Sequence, residues 1–235
     1  MSMREPLPSV FVPGLLCTPR LYSEQIAEAW AFGPVTVADH TRDDTVEAIS
    51  RRILATAPPR FALVGLSMGG YVSLEILRQA PERVAKLALL DTSARPDTPE
   101  QTARRREQIA LARNGRLGEV VDLTYPNLVA PERLHDAALL QITRMMAEAV
   151  GPEAFERQQN AIMTRPDSRP GLADIRCPTL VLVGEQDALT PPDRAREMSA
   201  GISGSRLVIV PACGHASCLE RPQAVSRALA ELLQS

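Results

Sequence analysis

Ser67 stands in Gly65-Leu66-Ser67-Met68-Gly69-Gly70, between an apolar run over Phe61–Leu66 and a segment of helical period over 69–79. That spacing puts a hydroxyl on a sharp turn from strand to helix. The turn forces the serine into a strained backbone conformation, and glycines two residues before and after it let the flanking chain pass closely. The hydroxyl then projects above a sheet edge, over a helix N-terminus whose N–H groups favour developing negative charge. The chemistry this suits is attack by an activated alcohol on an electrophilic carbon.

Serine is a poor nucleophile near neutral pH and needs a base. The histidines are His40, His135 and His215. His215 follows the last apolar run, 206–210, through Pro211-Ala212-Cys213-Gly214, and so belongs to the same sheet edge as Ser67. His40 follows a run that ends before a loop expected at the surface. His135 follows Leu134 in a helical segment, where it is expected to be solvated or to line a pocket. A base of this kind needs an acid to orient it. Asp187 follows the run 179–184 through Glu185-Gln186, with Leu189-Thr190-Pro191-Pro192 completing the loop, and Glu185 is expected to face solvent. Asp91, at the end of the run 86–91, is the rival acid, with capping as its simpler role. Oxyanion donors are expected from Leu15, in the tight turn Pro13-Gly14-Leu15-Leu16, and from Met68. Leu16, Met145 and Met146 are candidate substrate-binding residues.

Positioning these groups requires alternating elements. Strands are predicted at 9–12, 35–39, 61–66, 86–91, 179–184 and 206–210, and helices at 23–29, 44–55, 69–79, 193–200 and 223–233. Short aliphatic runs between helical segments specify an α/β fold with a mostly parallel sheet of about six strands. From residue 92 to 171 the strand rhythm lapses. Helices are predicted there over 98–114 and 131–150, the second with Leu134, Ala138, Ile142, Met145, Met146 and Ala149 on one apolar face and Arg144–Glu148 as an exposed pair. This gives a core over 1–92 and 172–235 with a helical cap inserted over 93–171. Its apolar face predicts hydrophobic acyl groups as ligands.

The motifs Gly65–Gly70, the Asp187 loop, and Gly214-His215 followed by Glu220-Arg221-Pro222 together resemble the α/β-hydrolase superfamily, most nearly its small cap-containing carboxylesterase-like members. The resemblance spans nearly the whole chain outside the cap. It implies a Ser67–Asp187–His215 triad, a pocket roofed by the cap, and hydrolysis of carboxylic esters or thioesters of small to medium hydrophobic substrates. The family's usual His-Gly at the oxyanion turn is Pro13-Gly14 here. The chain also begins near the family's third strand, which implies six strands where eight are usual. Carbon–carbon hydrolases, lyases, acyltransferases and a non-turnover ligand sensor share the arrangement. A serine nucleophile argues against the dehalogenase and epoxide-hydrolase branches.

Composition narrows the partners. A net charge of -2 and 3% aromatic residues give no platform for nucleic acid. The longest uncharged apolar stretch, 61–74, is too short to span a bilayer. Arg4 and Glu5 precede a short run broken by Pro13, against a signal peptide. Four cysteines, Cys17, Cys177, Cys213 and Cys218, then read as reduced thiols in a cytoplasmic protein. Cys213, His215 and Cys218 lack a second ligand pair for zinc, and the mechanism calls for no metal or cofactor. The single lysine, Lys86, lies outside any phosphate-loop context.

Overall fold

Within each central strand the apolar residues alternate between two packed layers, because successive side chains point to opposite faces. In β3 (Phe61–Leu66) Phe61 and Leu63 enter one core while Ala62, Val64 and Leu66 enter the other. In β5 (Thr179–Gly184) Val181 and Val183 oppose Leu180 and Leu182 in the same way. Burial on both faces is what a parallel sheet covered by helices demands. The computed structural model describes residues 6–235, so the reading of Arg4 and Glu5 lies outside the described residues.

The sheet has six strands, all parallel, in the order β2-β1-β3-β4-β5-β6, with β1 at Ser9–Val12, β2 at Val35–Val37, β4 at Val84–Leu90 and β6 at Arg206–Val210. Helices α1 (Ser23–Ala29), α2 (Val46–Thr56) and α3 (Met68–Gln79) follow the first three strands, and α3 stops before Pro81 as expected. Between β4 and β5 run α4 (Pro99–Arg113), α5 (Leu117–Leu128) and α6 (Ala137–Met163), which pack on one another. The chain closes with α7 (Pro192–Gly201), a single turn α8 (Ser217–Glu220) and α9 (Pro222–Gln234), which lies against α1. Lys86 donates to the Leu232 and Leu233 carbonyls, at 2.9 and 2.8 Å, near the end of α9.

The inserted helices depart from the sequence reading. Helix α5 lies outside the predicted elements, because Gly118 and Pro126 interrupt its period. Pro126 is tolerated in the last turn, where only one interior N–H is forfeited. Helix α6 begins at Ala137 and not at 131, since Asp136 caps it by accepting from the Ala138 and Leu139 N–H groups, each at 3.0 Å. Gly151 (φ 78°) breaks it into two helical pieces, the second of which also lies outside the predicted elements. The apolar face of α6 is rotated from expectation. Leu139, Met146 and Ala147 are buried, while Leu134, Ala138, Met145 and Ala149 are exposed. Arg144 reaches Asp122 on α5 at 2.7 Å instead of Glu148.

Candidate functional site

Four non-glycine residues among those described have positive φ: Leu16 (58°), Ser67 (54°), Asp91 (43°) and Ala212 (48°). Each follows a strand, so all sit at the carboxyl edge of the sheet. Such conformations cost on the order of 1–3 kcal/mol each and persist only where the surroundings impose them. For Ser67 the imposition is visible. Its N–H donates to the Leu90 carbonyl at 2.9 Å, and its own carbonyl accepts from Thr92 Oγ1 at 2.7 Å. A Cβ on Gly69 would fall on the Val12 carbonyl oxygen, and one on Gly65 would fall on the Gly69 carbonyl, so the elbow closes only with glycine at both places.

The structure brings Asp187 and His215 together. His215 Nδ1 lies 2.8 Å from Asp187 Oδ2, both side chains being buried. Asp187 Oδ1 accepts from the Leu189 and Thr190 N–H groups at 2.8 and 2.9 Å, and Oδ2 also accepts from Thr190 Oγ1 at 2.8 Å. Burial works against a charged imidazole, but the charge and hydrogen bond of Asp187, with Asp91 nearby, outweigh it and hold His215 above an ordinary histidine.

Asp91 does a different job from the one its rivalry with Asp187 suggested. Its Oδ1 accepts from the Gly184 N–H at 2.8 Å and its Oδ2 meets Ser217 Oγ, tying the end of β5 to the turn after His215. Burial, then the neighbouring Asp187 charge, raises its pKa well above the usual carboxylate range. Glu220 is a further brace. Its two oxygens accept from the Gly214 and Ala130 N–H groups at 2.9 and 2.8 Å, pinning the histidine loop to the end of α5.

A cavity of about 700 Å³ has Ser67, His215, Leu15, Leu16, Tyr71 and Met146 in its wall. Met145 does not line it. Adjacent helical residues point about 100° apart, so Met146 faces inward and Met145 faces solvent. His135 is exposed and off the cavity, and Glu185 is exposed, its carboxylate accepting from the Ala212 N–H at 3.3 Å. A larger groove, about 1230 Å³, lies elsewhere and holds neither Ser67 nor a histidine.

The N–H groups of Leu15 and Met68 have no acceptor among the described residues. The turn that carries Leu15 is clamped from both sides. Gln158 Oε1, on α6, accepts from the Leu16 N–H at 3.1 Å, while His40 Nε2 lies 2.9 Å from the Gly14 carbonyl and 3.0 Å from Gln158 Nε2. A neutral ring offers Nε2 either a proton to Gly14 or a lone pair to the Gln158 amide, and either choice keeps the three groups together. His40 is thus buried and not at the surface as expected, and burial holds its pKa down. Sequence reasoning missed Gln158. The available signal was a glutamine three residues from the apolar Phe155, on the face that turns inward.

The family model described as the alpha/beta hydrolase family matches residues 10–228, and the chain belongs to that family. It is 29% identical over 194 residues to a pimeloyl-[acyl-carrier protein] methyl ester esterase of Aromatoleum aromaticum, covering 77% of each chain. Among solved structures it is similar to a thermophilic esterase from Thermogutta terrifontis, with 30% identity, a TM-score of 0.87, and 97% of this chain and 89% of that one covered. It also superposes on the enol-lactonase from Burkholderia xenovorans LB400 with a TM-score of 0.89 at 23% identity, covering 98% and 92% of the two chains, which speaks to the fold.

Proposed function

We propose that this chain hydrolyses carboxylic esters through an acyl-enzyme on Ser67. The observation that carries the reading is the buried His215 Nδ1–Asp187 Oδ2 contact of 2.8 Å, on the rim of the cavity that also holds the strained Ser67. His215, oriented by Asp187, takes the Ser67 proton as the oxygen attacks the ester carbonyl. The carbonyl oxygen becomes an oxyanion held by the N–H groups of Leu15 and Met68. His215 then protonates the departing alcohol, and a water that it deprotonates releases the acid and restores the serine. The helices over 93–171 roof the cavity as a cap, with Leu16 and Met146 contacting substrate. The esterase relatives support ester bonds ahead of carbon–carbon bonds.

No helix among the described residues is long and apolar enough to cross a membrane. The four cysteines stand as free thiols, which supports a cytoplasmic location. The test is turnover of p-nitrophenyl esters from acetate to dodecanoate by the wild type and by Ser67→Ala. Turnover that falls by about 10⁴-fold or more in the folded variant supports the acyl-enzyme. Absence of turnover in a folded wild type would overturn the reading.

A further inference from the structure

The charged side chains in the wall of the Ser67 cavity are mostly cations. Arg95, Arg104, Arg105, Arg165 and Arg194 line it, whereas Glu107 is the one acidic side chain among the described lining residues. Two of these charges are answered locally. Arg95 makes a two-pronged pair with Glu197, at 2.8 Å for each bond, and Arg194 meets Asp193 at 3.2 Å.

Arg105 and Arg165 are different, because they share a single carboxylate. Asp97 Oδ2 accepts from Arg105 Nε and Oδ1 from Arg165 Nη1, each at 2.7 Å. The Asp97 side chain is 1% exposed, that of Arg165 6% and that of Arg105 19%. Guanidinium groups do not lose their protons in proteins, so two cations facing one anion leave a net positive charge in a largely dehydrated place. An uncompensated buried charge is costly unless something negative comes to it.

Anchoring does not account for all of Arg165. Its Nε donates to the Arg95 carbonyl at 3.1 Å and its Nη1 to the Ile162 carbonyl at 2.7 Å, which holds α6 against the β4 loop. Its Nη2 has no acceptor among the described residues. The guanidinium is stacked on Tyr71, its Cζ 4.1 Å from the ring centroid, which fixes the plane of the fork. Tyr71 lies four residues after Ser67 on α3, roughly 6 Å along the helix axis.

We propose that Arg165, with Arg105, is the recognition site for an anionic oxygen group of the substrate, a carboxylate or phosphate a few bonds from the scissile ester. Held at Arg165 Nη2, that group completes the charge balance around Asp97 while the ester carbonyl lies at Ser67. The inference rests on the ester-hydrolase reading and narrows it from hydrophobic esters to acidic ones.

Kinetics on monomethyl half-esters of linear dicarboxylic acids, against methyl monocarboxylates of the same chain length, test this. The half-ester is expected to be preferred by tenfold or more in kcat/KM, chiefly through KM, with an optimum at one chain length set by the fixed spacing. Arg165→Met leaves Asp97 paired one-to-one with Arg105 and is expected to cut that preference about tenfold, with partial recovery in Arg165→Lys. Arg105→Gln gives a second reading should Arg165→Met fail to fold. Turnover of neutral esters with no charge preference, or a preference that Arg165→Met leaves intact, overturns the inference while the esterase reading stands. In a separate arm, glutarate and inorganic phosphate are titrated calorimetrically into Ser67→Ala, with and without Arg165→Met. Arg165-dependent binding of either supports the site even if no ester is turned over, and its absence for both counts against it.

Discussion

Replacing Asp187 by asparagine tests the site most sharply, because the surrounding hydrogen bonds decide how the new amide must sit. Oδ1 is fixed by two backbone donors, the N–H groups of Leu189 and Thr190. In Asp187→Asn the amide oxygen has to take that place, since the opposite flip would press an NH₂ group against both N–H donors. The NH₂ group therefore lands where Oδ2 now meets His215 Nδ1 at 2.8 Å, and it donates to that nitrogen. His215 is driven to the tautomer protonated at Nε2, which cannot accept the Ser67 proton. The fold keeps its packing, but the base is in the wrong state. An equivalent change in a serine protease costs about 10⁴ in kcat, which corresponds to about 5.5 kcal/mol of transition-state stabilisation. The assay is kcat for p-nitrophenyl ester hydrolysis, with thermal melting to verify the fold. Activity within about tenfold of wild type, together with a collapse in Asp91→Asn, would refute the reasoning and return the acid role to Asp91.

His215 must be neutral to act as a base, and its pKa is raised above the ordinary value of 6.5. The acid limb of kcat/KM should therefore have its midpoint above 6.5, activity falling as pH drops through it. A midpoint below 6.5 contradicts this electrostatic account. Gln158→Leu removes the acceptor of the Leu16 N–H and should lower kcat about tenfold with KM little changed, because the turn bearing the Leu15 donor loosens. An unchanged kcat would show that the turn holds its shape without Gln158. Gly69→Ala drives a methyl group into the Val12 carbonyl, where backbone meets backbone and nothing can swing aside. Urea denaturation should register a loss of about 3 kcal/mol or more, and a loss under ~1 kcal/mol would mean the elbow is looser than its geometry implies.

How much the sequence disclosed follows from how local each determinant is. The strand-to-helix elbow at Ser67 is written in consecutive residues, as glycines at fixed offsets between an apolar run and a helical period. The central strands are legible for the same reason: burial on both faces demands unbroken aliphatic runs, and β1, β3 and β5 fall where those runs lie. The sequence could place Asp187 and His215 after successive strands but could not join them. Their 2.8 Å contact depends on β5 and β6 lying side by side, and the choice between Asp187 and Asp91 depends on which loop turns toward His215.

The helices between β4 and β5 are the least legible in the sequence. Gly151 and Pro126 disturb their period, and the face of α6 that turns inward is chosen by contact with α4 and α5, which no single segment encodes. Nothing in the residues beside Arg165 or Arg105 marks either as part of the site. Only the tertiary structure sets them around Asp97 from 60 or more residues apart in the case of Arg165 and eight in the case of Arg105, inside the cavity of Ser67. Charge balance is a property of what surrounds a group in space, and a linear pattern does not carry it.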